Sequence, residues 1–351
     1  MTFSPDFRHM RDVLNNRRPK RLPIYEHLIN PEFMELVLGV PFASLARGTA
    51  ADIEEFIHQY VRFYREMTYD TVSFELCVGQ ILPDHGAIMG GRPGPIQSWD
   101  DFERYPWAEL PELYWRTAQP LFDQLHRQLP PGMKAVGGVG NGVFEISEEL
   151  VGFEYLCYMQ VDDPDLFDAL YCRIGDLLVV LWETFLERYA DDYVICRFGD
   201  DLGFKSSTLV APRTIKKAIM PQYKRVIDLV HSADRPFLWH SCGNIFSVME
   251  DAIGAGIDAK HSNEDVIASF DRWLELYSDR IALLGGIDVD MLCQQDPATI
   301  RALVVEAGQR FRDSARGYAL GSGNSIPEYV PVDGYLAMIE AAQEIRAREP
   351  S

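Results

Sequence analysis

Hydrophobic and polar positions follow two different periods along the chain. Short runs of β-branched and aromatic residues recur throughout the sequence, and longer stretches with an apolar residue at every third or fourth position separate them. This pattern predicts parallel strands joined by crossover helices. The eight predicted strands cover residues 22–25, 71–76, 135–139, 193–198, 237–239, 257–260, 281–284 and 318–320.

Helical patterns fill the intervals between the predicted strands. They cover residues 31–38, 52–68, 112–128, 164–189, 212–231, 245–255, 267–276 and 297–313. Eight β/α repeats predict a (β/α)8 barrel, known as a TIM barrel. We therefore expect one α/β domain over residues 1–351, in which residues 1–20 form an N-terminal helical extension.

Polar side chains come directly after every predicted strand. Barrel enzymes build their active sites from the loops at these carboxyl ends, so we expect a large, acidic, metal-compatible site there. The predicted catalytic residues are Asp200, Asp201, Glu75 and Asn141. The predicted substrate-binding residues are Glu26, His261, Asn263, Asp288, Ser322 and Asn324, and His27, Glu145 and Glu264 also lie at strand ends without an assigned role.

Six of these residues also have an ordinary structural interpretation. Asp200 and Asp201 can cap the turn or helix that follows them. Glu26 and Glu75 can form ion pairs with arginines, and His261 and Asp288 can be a structural histidine and a turn residue.

The segment His240-Ser241-Cys242 carries the strongest chemical signal in the chain. Successive side chains of a strand point to opposite faces, so His240 and Cys242 are expected to project together. An imidazole and a thiolate on one face provide two of the ligands of a zinc site. Whether the chain supplies the rest of such a site decides which chemistry is open to it.

Composition and charge exclude several classes of function. The chain has 351 residues, 47% of them hydrophobic, and a formal net charge of -20 with a pI near 4.8. Such acidity argues against nucleic-acid binding. No apolar run reaches the length of a membrane span and the N-terminus lacks a secretory segment, so we expect a cytoplasmic protein. The six scattered cysteines are expected to be reduced thiols.

Several motifs resemble the uroporphyrinogen decarboxylase superfamily, and within it the cobalamin-dependent branch of methylcobalamin:coenzyme M methyltransferases. The resemblance runs over about residues 21–342 and implies the barrel fold and, often, a homodimer. The motifs are Gly199-Asp200-Asp201-Leu202-Gly203, residues 212–221, His240-Ser241-Cys242-Gly243-Asn244, Gly285-Gly286-Ile287-Asp288 and residues 321–331.

The segment near the first predicted strand separates the two branches. True uroporphyrinogen decarboxylases carry an Arg-Gln-Ala-Gly-Arg segment there, which binds the substrate carboxylates. This chain has Tyr25-Glu26-His27-Leu28-Ile29 instead. A glutamate in place of arginines repels a polycarboxylate, which argues against a true uroporphyrinogen decarboxylase.

Resemblance to the methyltransferase branch implies a zinc site, because His240 and Cys242 match two of that branch's zinc ligands. The third ligand of the branch is a cysteine in a Gly-Cys-Gly segment, and the matching segment here is Gly321-Ser322-Gly323. Another residue must therefore replace the missing thiolate. Glu26 is the predicted third ligand, and Glu75, His261, Asp200 and Asp201 are the alternatives.

The resulting prediction is a zinc-dependent methyltransferase that moves a methyl group between a corrinoid, carried by a partner protein, and a small-molecule substrate. Methylcobalamin or a related corrinoid would be the co-substrate. One alternative is a metal-independent decarboxylase of a smaller acid, in which Asp200, Asp201 and Glu75 transfer protons. Another alternative is a protein that binds a corrinoid or small molecule without catalysis.

Overall fold

The computed structural model describes residues 3–349. Its central feature is a curled parallel sheet of seven strands, in which each strand pairs with the next in chain order. The strands are β1 (Thr71–Cys77), β2 (Lys134–Gly140), β3 (Tyr193–Gly199), β4 (Phe237–His240), β5 (Ala259–His261), β6 (Ala282–Ile287) and β7 (Tyr318–Ser322).

Helices connect successive strands and cover the outside of the sheet. They are α1 (Arg8–Leu14), α2 (Pro31–Leu38), α3 (Ala50–Glu66), α4 (Trp99–Arg104), α5 (Leu110–Gln128), α6 (Val143–Val151), α7 (Phe153–Asp162), α8 (Pro164–Tyr189), α9 (Pro212–Thr214), α10 (Met220–Ser232), α11 (Met249–Ala255), α12 (Phe270–Tyr277), α13 (Val289–Gln294), α14 (Pro297–Ser314) and α15 (Val332–Ala347). A π-helical turn, Ile215–Ile219, separates α9 from α10, so the predicted helix over residues 212–231 is interrupted.

The first of the eight predicted strands, residues 22–25, is not a strand in the structure. It makes one parallel bridge, between Ile24 and Leu320 of β7. Tyr25 donates its N–H to the Leu320 carbonyl at 2.9 Å, and Leu320 donates to the Pro23 carbonyl at 3.0 Å. Since Pro23 has no N–H, the ladder cannot extend toward the start of this segment. The prediction of an α/β barrel-like sheet is therefore confirmed, with seven strands and a bridging segment rather than eight strands.

Two helices with clear capping residues have the predicted boundaries. Helix α2 begins after Asn30, whose side chain accepts a hydrogen bond from Glu32 N, and it ends at Gly39, which adopts a left-handed conformation with φ 68°. Helix α8 begins after Asp163, whose carboxylate accepts from Leu166 N. Both helices have the predicted bounds because these signals are local.

The inside of the curled sheet contains a small apolar cluster at the amino-terminal end of the strands. Leu238 of β4 and Leu284 of β6 belong to this cluster, together with Met10 and Val13 of α1. Helix α1 therefore covers this end of the sheet. Among residues 3–349, no helix combines the length and apolar character needed to cross a bilayer.

One ion pair connects the end of α10 to the starts of β4 and β5. Asp258 accepts a hydrogen bond from Phe237 N at 2.7 Å and lies 2.7 Å from His231 Nε2. The hydrogen bond to Asp258 is the main reason that the pKa of His231 is raised. A raised folded-state pKa means that the protonated imidazole stabilises the fold at low pH, and that this stabilisation is lost as pH rises through the folded-state pKa.

Replacement His231→Gln should therefore lower the free energy of unfolding at pH 5.5 by about 0.5 kcal/mol, the magnitude expected for a partly exposed pair. At pH 8.5 the same replacement should have a smaller effect. Urea unfolding of both proteins at the two pH values measures the difference. A cost that increased with pH would contradict the prediction.

Candidate metal centre at the strand ends

Two buried histidines end adjacent strands of the sheet. His240 ends β4 and His261 ends β5, and the two residues are register partners. Their Nδ1 atoms lie 2.8 Å apart. The other ring nitrogen of His261 lies 2.9 Å from the backbone carbonyl oxygen of Ser322, at the end of β7. The two imidazoles and the backbone at the end of β7 therefore meet at one point, although their residues come from three separate strands.

A third imidazole lies on top of this pair. The ring of His27 stacks on that of His240 with 3.6 Å between centroids and 11° between planes. Its Nδ1 atom is buried and has no hydrogen-bond partner. Burial is the main reason that the pKa of all three histidines is lowered, to about 3 for His261. The imidazoles are therefore neutral at neutral pH, the form in which histidine binds metals.

The Cys242 thiol lies beside the opposite edge of the His240 ring. Its Sγ atom is 3.4 Å from His240 Nε2. The Ser262 hydroxyl donates to this sulfur at 3.6 Å, and the Asn324 amide donates at 3.5 Å. Burial, followed by the nearby Asp201 carboxylate, raises the pKa of the Cys242 thiol.

Asp201 completes a compact set of donors around His240 Nε2. Its Oδ1 atom lies 3.8 Å from that nitrogen and accepts a hydrogen bond from Cys242 N at 2.8 Å. The donor atoms of Asp201, His240 and Cys242 all lie within 4.8 Å of one another. Tetrahedral zinc with ordinary bond lengths separates its ligand atoms by about 3.5 Å, so this set fits a zinc ion with little adjustment.

A second set within the described chain also brings metal-binding side chains together. It contains His27, His240 and His261, whose ligand atoms again lie within 4.8 Å of one another.

Glu26, the predicted third ligand, belongs to neither set. Its carboxylate accepts from the backbone N–H of Ser322 at 2.8 Å and from the Ser322 hydroxyl. Burial raises the pKa of Glu26 to about 8, although both hydrogen bonds oppose the shift.

Asp200 does not belong to the metal-binding set that contains its neighbour Asp201. Its carboxylate instead caps the start of α6. Its carboxylate accepts from Glu145 N at 2.8 Å, from Phe144 N at 3.0 Å and from the Tyr223 hydroxyl at 2.6 Å. Burial raises the pKa of Asp200 to about 7 against these hydrogen bonds. This geometry matches the capping interpretation of Asp200, and only Asp201 lies with the metal-binding side chains.

Two other predicted catalytic residues have structural partners. Glu75 forms a buried ion pair with Arg197 at 2.8 Å, which was the alternative interpretation of this glutamate. Asn141 accepts from Gly79 N at 3.0 Å and donates to Glu145 at 2.6 Å. Asn141 directly follows β2 and its amide oxygen and nitrogen are both bonded to the protein, whereas Glu75 lies two residues before the end of β1 and its second carboxylate oxygen is 4.0 Å from His27 Nε2.

Three predicted substrate-binding residues line one cavity beside the metal-binding set. Asn263, Asp288 and Asn324 border a space of about 330 Å³, together with Glu264 and Tyr329. Asn324 also donates to Cys242, so this cavity adjoins the thiol. Asp288 additionally caps α13 through the N–H of Asp290 at 2.7 Å.

His27 and Arg197 are the central residues to which the sequence assigned no role. A signal for His27 was available: Tyr25 packs inside the sheet, and a side chain two residues later points to the same face. Arg197 carried no comparable signal, because an arginine inside a predicted strand usually indicates an exposed position.

The fold and the strand-end site define the class of this protein as an α/β barrel-like protein with a polar centre at the carboxyl ends of its strands. The chain belongs to the uroporphyrinogen decarboxylase (URO-D) family, whose model matches residues 92–345. The resemblance to this superfamily is thus confirmed. Among curated protein sequences, none matches the chain significantly.

Two solved structures are similar to this chain at low sequence identity. A methyltransferase from Methanosarcina mazei aligns with a TM-score of 0.71 and 16% identity, over 96% of this chain and 97% of that chain. A family 5 glycoside hydrolase from Prevotella bryantii B14 aligns with a TM-score of 0.47 and 11% identity, over 97% of this chain and 100% of that chain. The first similarity supports the barrel-like architecture over nearly the whole chain.

Replacing the adjacent aspartates one at a time should show that Asp200 stabilises the fold more than Asp201 does. Asp200→Ala leaves two helix N–H groups and a buried hydroxyl without their acceptor, so it should lower the free energy of unfolding by about 2–3 kcal/mol. Asp201→Ala should change it by less than about 1 kcal/mol, because its side chain is 44% exposed. Urea unfolding of the two variants measures both values, and equal losses would refute this division of roles.

Proposed function

We propose that this protein is a zinc-dependent methyltransferase that moves a methyl group between a corrinoid and a small-molecule substrate. The carrying observation is the convergence of Asp201, His240 and Cys242 at the strand ends. Membership of the URO-D family and the similarity to the Methanosarcina mazei methyltransferase support the same proposal.

The chemistry of this donor set suits zinc. A neutral imidazole, a thiolate and a carboxylate are all ordinary zinc ligands, and a site with three protein ligands leaves a coordination position for a substrate. Asp201, His240 and Cys242 would therefore hold the ion in the proposed enzyme. When bound, zinc would lower the pKa of a substrate thiol and keep it as a thiolate nucleophile.

Two side chains oppose the burial and the Asp201 charge that raise the pKa of Cys242. Ser262 and Asn324 each donate a hydrogen bond to the sulfur, which stabilises a thiolate more than a thiol. These donors offset part of the cost of burying the negative charge. The two residues would thus prepare Cys242 to bind a metal.

The neighbouring cavity supplies a place for the substrate in this proposal. Asn263, Asp288 and Asn324 offer amide and carboxylate groups along its wall, and its volume of about 330 Å³ suits a small molecule. The corrinoid would approach from the carboxyl-terminal face, carried by a partner protein.

The segment near the first predicted strand argues against decarboxylation of uroporphyrinogen. True uroporphyrinogen decarboxylases carry carboxylate-binding arginines there, and this chain has Tyr25, Glu26 and His27 instead.

Metal analysis tests the proposed centre. Protein purified without chelators should contain about one zinc ion per chain, and Cys242→Ala and Asp201→Ala should each reduce this content at least about tenfold. Cys172→Ala, at an exposed cysteine on α8, is the matched control and should retain the metal. Negligible zinc in the wild-type protein, even after reconstitution with the ion, would refute the metal claim.

Methyl transfer tests the reaction. Wild-type protein should demethylate free methylcobalamin in the presence of an acceptor from a panel of thiols, as followed by cobalamin absorbance. The Cys242→Ala variant should lower this rate at least about a hundredfold, because the nucleophile would no longer be ionised by a complete zinc site. The control Cys172→Ala should leave the rate unchanged.

The alternative functions give different results in the same assays. A metal-independent decarboxylase would release carbon dioxide from a small acid at a rate that a chelator does not change. A binding protein without catalysis would bind methylcobalamin and leave its spectrum unaltered with every thiol. Either result would replace the methyltransferase proposal.

A further inference from the structure

We propose that His261 is a positioning residue: it accepts a hydrogen bond from His240 Nδ1 and thereby fixes the His240 tautomer that presents Nε2 to the metal. The part of this inference that concerns a bound metal rests on the proposed function. The part that concerns the His240 tautomer is independent of it. The relay runs from the Ser322 carbonyl through His261 to His240.

The first step concerns the nitrogen of His261 that faces Ser322. Its Nε2 atom lies 2.9 Å from the backbone carbonyl oxygen of Ser322. A carbonyl oxygen only accepts hydrogen bonds, so Nε2 of His261 must carry the hydrogen. The end of β7 therefore selects the tautomer of His261.

The second step passes this selection to His240. His261 is fully buried, and burial without a carboxylate partner disfavours a doubly protonated imidazolium. A neutral His261 with its hydrogen on Nε2 has a lone pair on Nδ1. Since His240 Nδ1 lies 2.8 Å from that lone pair, His240 must donate the hydrogen of this bond.

The third step identifies the nitrogen available to a metal. With its hydrogen on Nδ1, His240 has its lone pair on Nε2, the atom that lies 3.4 Å from Cys242 Sγ and 3.8 Å from Asp201. His261 has no free lone pair, because one nitrogen donates to Ser322 and the other accepts from His240. The Asp201–His240–Cys242 set is therefore favoured over the three-histidine set.

The surrounding residues hold the His261 ring in this orientation. Tyr25 packs against it edge-on, with 5.1 Å between ring centroids. Gly285 of β6 leaves room for it: a Cβ atom there would lie 3.0 Å from His261 Cδ2. Ser322 is itself fixed, because its N–H and hydroxyl both donate to Glu26. Each element of the relay is thus restrained before any metal binds.

Nitrogen NMR of metal-free protein tests the relay directly. In protein labelled with ¹⁵N-histidine, long-range proton–nitrogen spectra distinguish the two neutral tautomers, and the His240→Gln variant assigns the His240 signals. We expect His240 with its hydrogen on Nδ1 and His261 with its hydrogen on Nε2. The opposite tautomer at either ring would overturn the inference, whatever the protein does with metals.

Cobalt binding then distinguishes a positioning residue from a ligand. His261→Leu should weaken Co²⁺ binding about 10–100-fold, the usual effect of losing a group that orients a ligand. His261→Asn places an amide oxygen near the position of Nδ1, so it should restore affinity to within about threefold of wild type and keep the thiolate-to-cobalt absorption band. His58→Leu, at an exposed histidine, is the control for loss of an imidazole.

Equal losses of affinity in the Asn and Leu variants would show that His261 is a ligand and would overturn the inference. Thermal unfolding of both variants keeps misfolding separate from loss of binding. If the wild-type protein bound no cobalt or zinc, the proposed metal would fail, while the NMR spectra would still decide the tautomer relay.

Discussion

The buried guanidinium of Arg197 is the constraint on which the closure of the sheet and the geometry of the site both depend. It lies inside the curled sheet, 2.8 Å from the Glu75 carboxylate on β1. It also donates to the Tyr25 hydroxyl and to the His27 carbonyl, each at 2.8 Å. A buried charge is tolerated only when such partners surround it. Arg197 therefore ties β3 to β1 and to the segment that only bridges β7.

The same cation shapes the electrostatics of the candidate centre. Burial is the largest cause that lowers the pKa of the three imidazoles. The positive charge of Arg197 is a further cause for each of them, and that of Lys260 for His240 and His261. The Asp201 carboxylate lies 3.8 Å from His240 Nε2 and is partly exposed. Burial and the nearby cations thus keep the imidazoles neutral, and the Asp201 carboxylate supplies the negative charge that would attract a metal cation.

Local signals explain what the sequence could predict. Capping residues such as Asn30 and Asp163 define helices within a few positions. Strand alternation predicted that His240 and Cys242 project together, and their side chains do lie 3.4 Å apart, although β4 ends at His240. The third partner depends on contacts between distant segments, which no local pattern records. Glu26 was the predicted ligand, yet its carboxylate is held by Ser322, 296 residues away in the chain. Asp200 and Asp201 look equivalent in sequence, and only the start of α6 separates their roles.

Ser322 at the position of the third cysteine changes the expected chemistry less than its neutral hydroxyl first suggests. Its hydroxyl and N–H bind Glu26, and its carbonyl faces His261, so its contribution to the centre is one of orientation. In the proposed site Asp201 supplies the negative charge that the missing thiolate would have carried, so the formal charge of a zinc centre with one histidine and two anionic ligands is preserved. A carboxylate donates less electron density to zinc than a thiolate does. The ion would therefore be a stronger Lewis acid than one held by a histidine and two cysteines. The replacement of a thiolate ligand by a carboxylate, with no change in total ligand charge, would therefore determine which methyl acceptor the proposed enzyme activates.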